Sequence, residues 1–439
     1  MSAIKPSKML SQVLTLIKPS KKERKEEQRF AKAVAAKVRK AVPKGCRVAI
    51  TGSIAKGTFL RDSKDLDIFV LFSKTQPKER FESLIVSVVK KAFPGTGYQL
   101  SYAEHPYARF HHGGRRVDLV PAYAIKHAGE RLSAVDRSVL HTKYILKNMK
   151  IRQKDGVLLL KKLLKANGLY GAEIKIEGFP GYLCELLVLR YRSFMGLVSA
   201  AALWNPPTII DLERHYKTKK EIPSLPKRFG PGLIVIDPTD RNRNVAAAVS
   251  LENLKRYILL CRRLQKNPKE DHFLRAPETF EQKLEKLAGL SARFGKGSTL
   301  LITLPKPEIV DDVLWGQLRK LMKQLYSRLE SDGFELPHSD MIADDSENKI
   351  RIAFAVKNPI LPAEMEMAGP MLGMHKNVAD FRKHHTGAKF VKRKNRIFAV
   401  VKREIRTPEA SVRGFFKELN KKGKSHLAFA LSEISIRRA

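Results

Sequence analysis

The run Leu66-Asp67-Ile68-Phe69-Val70-Leu71 constrains the fold of this 439-residue chain more than any other stretch. After Asp67 every residue is apolar, so both faces of a strand here need cover. That is the pattern of a central strand in a layered α/β unit. The run is led by Asp65-Leu66-Asp67. On a strand, residues i and i+2 point to the same face, so the two carboxylates project together. Ahead of them stands Gly52-Ser53. Glycine permits close backbone approach, the serine can donate to a phosphate, and successive amides at such a turn and the following helix start form an anion site.

Paired acids beside an anion-binding turn suit a divalent cation held against a triphosphate. Mg²⁺ takes hard carboxylate oxygens and keeps several waters. In nucleotidyl transfer two such ions, ~3.5–4 Å apart, activate the oxygen nucleophile and stabilise the pyrophosphate. A third acid is needed. Asp118 supplies it, alone in the apolar strand Arg116-Val117-Asp118-Leu119-Val120-Pro121. Burying it unpaired is costly, and a metal removes that cost. The D-x-D pair by itself is a common surface pattern; the Gly-Ser turn and Asp118 set this one apart.

Charge identifies the partner class. Lys+Arg 84 against Asp+Glu 44 leaves +40, an imbalance that attracts a polyanion, with nucleic acid first among them. No apolar run approaches the ~20 residues of a membrane span, and no secretory signal is legible. Cys46, Cys184 and Cys261 lack metal spacing. Reduced core thiols in a cytoplasmic protein, with no membrane partner, are expected.

Three domains are expected from length and pattern. Residues 1–142 read as an α/β head: a helix over 21–42, a buried strand over 47–51, a turn and short helix over 53–61, the strand at 66–71, a helix over 84–93, and strands at 98–102 and 116–119 after a Gly113-Gly114 turn. Residues 143–270 read as helical. One helix ends at Asn167-Gly168, another carries Leu183 to Val198, a Pro-rich loop follows, and a third helix runs from after Asn244 to Leu264. Residues 271–439 alternate strands (298–304, 350–356, 397–401) with helices (308–329, 380–385, 408–419), an α+β layer with flanking helices.

Gly52-Ser53, Lys56, Asp65-Leu66-Asp67 and Asp118 together resemble the polymerase-β-like nucleotidyltransferase superfamily. Longer runs narrow the resemblance to the archaeal-type (class I) CCA-adding enzymes: Tyr102-Ala103-Glu104-His105-Pro106-Tyr107, Ser133-Ala134-Val135-Asp136-Arg137, Lys165 to Glu173, Gly181-Tyr182-Leu183-Cys184-Glu185-Leu186-Leu187, Asp237-Pro238-Thr239-Asp240 and Arg243-Asn244-Val245-Ala246-Ala247. Ile309 to Asp312 and Gly369-Pro370 extend it into the last third. The resemblance implies a multidomain α+β protein: a nucleotidyltransferase head with a small mixed sheet, a helical middle domain, and a C-terminal α+β (RRM-like) tail with flanking helices. It implies template-independent addition of C, C and A to tRNA 3′ ends from CTP and ATP.

It also implies roles. Asp65, Asp67 and Asp118 become the metal-binding catalytic carboxylates, with Mg²⁺ as cofactor. Ser53, Lys56, Ser138, His141, Lys161 and Tyr170 match nucleotide contacts, most of them to the triphosphate. Arg243 matches the arginine that reads the incoming base. A guanidinium fork can bond acceptors on cytosine and adenine and reject uracil, whose matching edge carries a donor. Glu104 and His105 are loop residues or contacts to the primer ribose. Three positions depart from the family pattern: Asp65 stands where Glu is usual, Lys56 where Arg is usual, and Ser138 where Thr is usual.

The basic stretch with Lys389, Lys392, Arg393, Lys394, Arg396, Lys402, Arg403, Arg406, Lys421, Lys422 and Lys424 interleaves with Phe390, Phe398, Phe415 and Phe416. It suits an RNA duplex read by shape. The family implies the tRNA acceptor stem and T arm, and a homodimer. Two other readings share these features: a poly(A) polymerase or oligoadenylate-type transferase, and an RNA-binding protein without catalysis.

Overall fold

The computed structural model describes residues 6–102, 105–218, 221–276, 278–344, 347–422 and 433–438. The chain forms two compact units, Met1–Pro277 and Glu278–Ala439. No helix among the described residues is long and apolar enough to cross a membrane.

The first unit opens with α1 (Pro6–Ile17) and α2 (Lys21–Ala41), the latter started by a Ser20/Glu23 capping box. Then come β1 (Arg47–Ile50), α3 (Gly52–Lys56), β2 (Leu66–Phe72), α4 (Phe81–Ala92), β3 (Tyr98–Tyr102), β4 (Pro106–His112) and β5 (Arg115–Tyr123). The five strands form one mixed sheet in the order β1-β2-β5-β4-β3. Only β2 and β5 run parallel, and that pairing sets Asp67 directly opposite Asp118. β2 is an interior strand and nearly continuously buried, as its composition requires. β1 is an edge strand and only half-buried, against the buried strand expected there. β4 was not legible in the sequence: Pro-Tyr-Ala-Arg-Phe-His-His lacks β-branched residues, yet it completes the hairpin turned by Gly113-Gly114. A core of α2 and α4 side chains, including Val34, Val38, Ile85 and Val88, packs against Ile68, Val70, Phe110 and Leu119.

The chain continues through α5 (Ser138–Asn148), α6 (Ile151–Ala166), α7 (Gly181–Tyr191) and α8 (Phe194–Ala201). The single helix expected through Leu183 to Val198 is broken at Arg192, which adopts φ +68°, and Ser193 caps the new helix. The Pro-rich segment holds a small sheet where a loop was expected. β6 (Thr208–Asp211) pairs parallel with β7 (Leu233–Asp237), and β7 pairs antiparallel with β8 (Asp240–Asn244), with the short helix α9 (Leu225–Phe229) between β6 and β7. Arg243 therefore stands on a strand. Beyond it α10 (Leu251–Lys266), capped by Ser250, and α11 (Asp271–Leu274) close the unit. A core of α6, α7, α8 and α10, centred on Leu160, Leu186, Val198 and Tyr257, runs on into α1. Cys184 and Cys261 are buried free thiols within it, and Cys46 is half-buried and free.

The second unit comprises α12 (Phe280–Ser291), β9 (Thr299–Pro305), α13 (Asp311–Ser331), β10 (His338–Asp344), β11 (Lys349–Ala355), β12 (Glu364–Met371), α14 (His375–His384), β13 (Lys389–Arg393), β14 (Arg396–Lys402), α15 (Pro408–Lys422) and β15 (Ser435–Arg438). Strands β10-β11-β9-β15 form an all-antiparallel sheet whose β-α-β-β…α-β connection is a split β-α-β arrangement. One face packs on α13 and α15 through Leu318, Leu325, Val412 and Phe416. The opposite face is covered by α12, with Leu284 and Leu287 against Leu301, Ala353 and Ala355. The RRM-like expectation thus meets a matching strand order, but a sheet face closed to stacked bases. The insert β12-β14-β13 forms its own sheet. There Gly369 makes room for Phe381, whose ring lies 2.6 Å from the position a Cβ would take.

Candidate active site

Three side-chain groups of the first unit adjoin one another in turn, the first of them at the start of β2. The first is the acidic one. Thr51 N–H donates to the Asp67 carbonyl, seating the Gly52 turn directly over the acid. Gly52 adopts φ +68°, and a Cβ there would lie 1.8 Å from Asp67 Oδ2, so only glycine fits. Ser53 follows in the first turn of α3. Asp65 sits just ahead of the strand rather than on it, 39% exposed, and accepts from Arg116 Nη2 at 2.6 Å. Asp118 is not unpaired, as the sequence reading supposed. The fork of Arg109 donates to both its oxygens at 2.8 and 2.9 Å, from the neighbouring strand β4. With Asp65 and Asp118 drawn to arginines, no metal cluster of three side chains converges among the described residues. The acids still act on one another. Burial, then the Asp118 charge, pushes the Asp67 carboxyl up to about 6, against the pull of Lys56.

The second group joins α3 to the helical layer. Lys56 is only 7% exposed, and its Nζ donates to Glu185 Oε2 at 2.5 Å. Thr58 Oγ1 donates to the other Glu185 oxygen at 2.6 Å, and Lys161 Nζ donates to the Thr58 carbonyl at 2.9 Å. Glu185 is fully buried on α7. Lys161 is buried on α6, and that burial holds its ammonium below the usual lysine range. Gly181 opens α7 beside this group: a Cβ there would be 3.1 Å from the Tyr170 hydroxyl and 3.6 Å from Lys161 Nζ. Helix N-terminal amides, a lysine and a phenol beside one another can receive an anion.

The third group is built on α5, α7 and the β7–β8 hairpin. Asp136 fixes the start of α5 by accepting from Tyr123 N–H and from the amide and hydroxyl of Ser133. Ser138 is the first residue of that helix, half-buried, and His141 lies one turn on. His141 Nε2 is 2.8 Å from Asp237 Oδ2, and its ring stacks on Tyr182 at 4.0 Å between centroids. Arg243 Nη1 donates to the same Asp237 oxygen at 2.9 Å. Burial pushes the Asp237 carboxyl up, but the bonds from His141 and Thr239 and the Arg243 charge outweigh it and hold it well below the usual range. Burial takes His141 below its ordinary value. Tyr182 links the groups, since Lys56 Nζ lies 5.9 Å from its ring centroid.

The structure thus brings the expected acids, lysines, Tyr170, His141 and Arg243 onto adjoining elements. It withdraws His105, which is 4% exposed and contacts Ser133 Oγ at 3.3 Å, from the primer-contact role. Glu104 lies outside the described residues. Sequence reasoning gave no role to Arg109, Arg116, Glu185 or Asp237. For the last two the signal was available: each is a lone acid in an apolar run, as Asp118 is.

Paired acids beside a glycine turn on a mixed sheet, with a lysine-lined helix start alongside, define a nucleotidyltransferase. Family profiles agree along the chain: "Nucleotidyltransferase domain" matches residues 29–144, "tRNA nucleotidyltransferase, second domain" 155–274, and "CCA-adding enzyme, C-terminal domain" 296–433. Proteins named CCA-adding enzyme are similar over most of their length. That of Methanocaldococcus jannaschii is 34% identical, covering 90% of this chain and 87% of its own. That of Archaeoglobus fulgidus is 32% identical over 94% and 90%, and that of Methanothermobacter thermautotrophicus 35% over 76% and 72%. The chain belongs to the CCA-adding enzyme family. Among solved structures, a cytoplasmic RNA terminal U-transferase covers 62% of this chain at a TM-score of 0.48 and 18% identity, too distant to bear on its substrate.

Proposed function

We propose that this protein builds and repairs the 3′-terminal CCA of tRNA without a template, using CTP and ATP and releasing pyrophosphate. The observation that carries the reading is the parallel β2–β5 pairing, which sets Asp67 beside Asp118 under the Gly52-Ser53 turn, in a chain that matches CCA-adding enzymes nearly end to end.

Asp65, Asp67 and Asp118 fit a divalent cation. They are hard oxygen donors, burial and then the charges of Asp118 and Asp65 raise Asp67, and two of them already attract guanidinium groups. Mg²⁺ held there would lower the barrier to attack of the tRNA 3′-oxygen on the α-phosphate. Ser53, Lys56, Lys161 and Tyr170 bind the triphosphate, with Lys56 delivered by Glu185. Ser138 and His141 support the nucleoside, and Arg243 reads its base edge with donors only, which suits cytosine and adenine and disfavours uracil. On the second unit, Lys389, Lys392, Arg393, Lys394, Arg396 and Lys402 are exposed along the β13–β14 hairpin and its turn, a basic surface for the acceptor stem and T arm. Lys424 lies outside the described residues. A cytoplasmic homodimer completes the reading.

The test is nucleotide incorporation by the purified chain on tRNA transcripts ending before, within and after CCA. The expected result is ordered C, C, A addition that chelator abolishes and Mg²⁺ restores. Use of ATP alone points to a poly(A)-type transferase, and RNA binding without product points to a non-catalytic protein. Full activity in an Asp118→Ala variant overturns the site assignment.

A further inference from the structure

Asp237 is the most heavily engaged acid beside the nucleotide site. Its carboxylate takes Arg243 Nη1 at 2.9 Å, His141 Nε2 at 2.8 Å, the Thr239 amide and hydroxyl at 2.9 Å each, and the Tyr182 hydroxyl at 3.4 Å. It is fully buried, whereas the Arg243 side chain remains 31% exposed. One end of the guanidinium is therefore anchored, and the rest of the fork is accessible. Arg137 is tied to a different acid, Asp240, at 3.0 Å, which Arg131 also reaches at 3.3 Å.

We infer that Asp237 is a specificity-determining positioning residue: it locks the Arg243 guanidinium in one orientation and couples that orientation to the His141–Tyr182 stack. This rests on the reading of Arg243 as the base-edge reader. The physical reason is geometric. An arginine on a flexible stem can turn to meet acceptors on any base, uracil included, and then discriminates poorly. A fork pinned at one nitrogen presents its remaining donors at fixed points, so a base with a donor there meets an uncompensated clash of N–H groups. The same carboxylate holds His141, so an ill-fitting base that displaces Arg243 also disturbs a neighbouring nucleotide contact.

The test measures kcat/KM for CTP against UTP on tRNA lacking its CCA end, using the full chain and Mg²⁺, alongside thermal unfolding. Asp237→Asn is expected to lower the CTP:UTP preference by at least about tenfold, the range of one well-placed base contact. Thr239→Val keeps the charge but frees one anchor of Asp237, and is expected to move the preference the same way by roughly two- to fivefold. It serves where Asp237→Asn does not fold. A general loss of rate and melting temperature with the preference unchanged in both variants would mean a purely structural role and overturn the inference. Arg243→Gln separates the two claims. If it leaves the preference intact, the base-reader assignment itself is wrong. If it collapses the preference while the Asp237 and Thr239 variants do not, only the positioning role fails.

Discussion

Gly52→Ala tests the catalytic geometry at its tightest point. The new Cβ would lie 1.8 Å from Asp67 Oδ2 and 2.8 Å from its Cγ, where contacts under 3.0 Å are not sustained. At least 3.0 − 1.8 = 1.2 Å of displacement is required. The backbone of β2 cannot supply it, because Leu66 and Ile68 on either side are fully buried and the strand is paired on both edges. The Asp67 carboxylate must turn away, or the turn carrying Ser53 must lift. Misplacement of a reacting group by about 1 Å costs on the order of 10²-fold in rate. The left-handed backbone, φ +68°, adds about 1–2 kcal/mol of strain for alanine. Steady-state CTP incorporation on truncated tRNA should therefore fall about a hundredfold, with a melting temperature only a few degrees lower. Gly45→Ala is the matched control. It has φ +89° and nothing within 4 Å of the added Cβ, so it should lower melting similarly and spare the rate. A Gly52→Ala rate within threefold of wild type would refute the placement of Asp67 in the reaction.

Two further outcomes follow from the buried pairs. Glu185→Gln removes the anionic partner of an ammonium whose side chain is only 8% exposed, and should destabilise the protein by about 3 kcal/mol or more in urea unfolding. Lys56→Met combined with Glu185→Met should regain much of that stability while incorporation stays lost; a single-variant loss under about 1 kcal/mol would contradict a desolvated pair. The His141 ring takes up a proton less readily in the fold than its ordinary value of 6.5, chiefly through burial. Below that pH the unfolded chain binds the extra proton, so stability falls as pH drops through 6.5. Urea midpoints at pH 7.5 and 5.5 should show this loss in wild type and a smaller one in His141→Asn; equal losses would remove His141 from the cause.

Much of the architecture was readable from local pattern, because its signals are short-range. The apolar run of β2, the helical spacing of Phe30, Val34 and Val38 in α2, and the Asn167-Gly168 stop of α6 each depend on neighbours in sequence. Asp67 and Asp118 stood out for the same reason, as acids out of keeping with apolar strands, and Asp65 by its spacing from Asp67. Where the local signal was weak or misleading, packing decided: β4 exists because the sheet edge pairs it, and β6–β8 form inside a Pro-rich segment because Ile234 and Ile236 bury against Leu225 and Tyr216.

The site's working order was settled at longer range. Lys56 finds Glu185 across 129 residues, His141 finds Asp237 across 96, and Asp118 meets an arginine on the strand beside it. A sequence can show that an acid or a lysine is out of place in its surroundings. Which charge it meets depends on which surfaces the core brings together, and a buried charge takes whatever partner lies within about 3 Å once water is excluded. Sequence alone thus showed two acids, Asp67 and Asp118, out of keeping with apolar strands and beside a Gly-Ser turn, the pattern expected for nucleotidyl transfer. Only the tertiary structure decided that Lys56 is held by Glu185, Lys161 by the Thr58 carbonyl and Arg243 by Asp237.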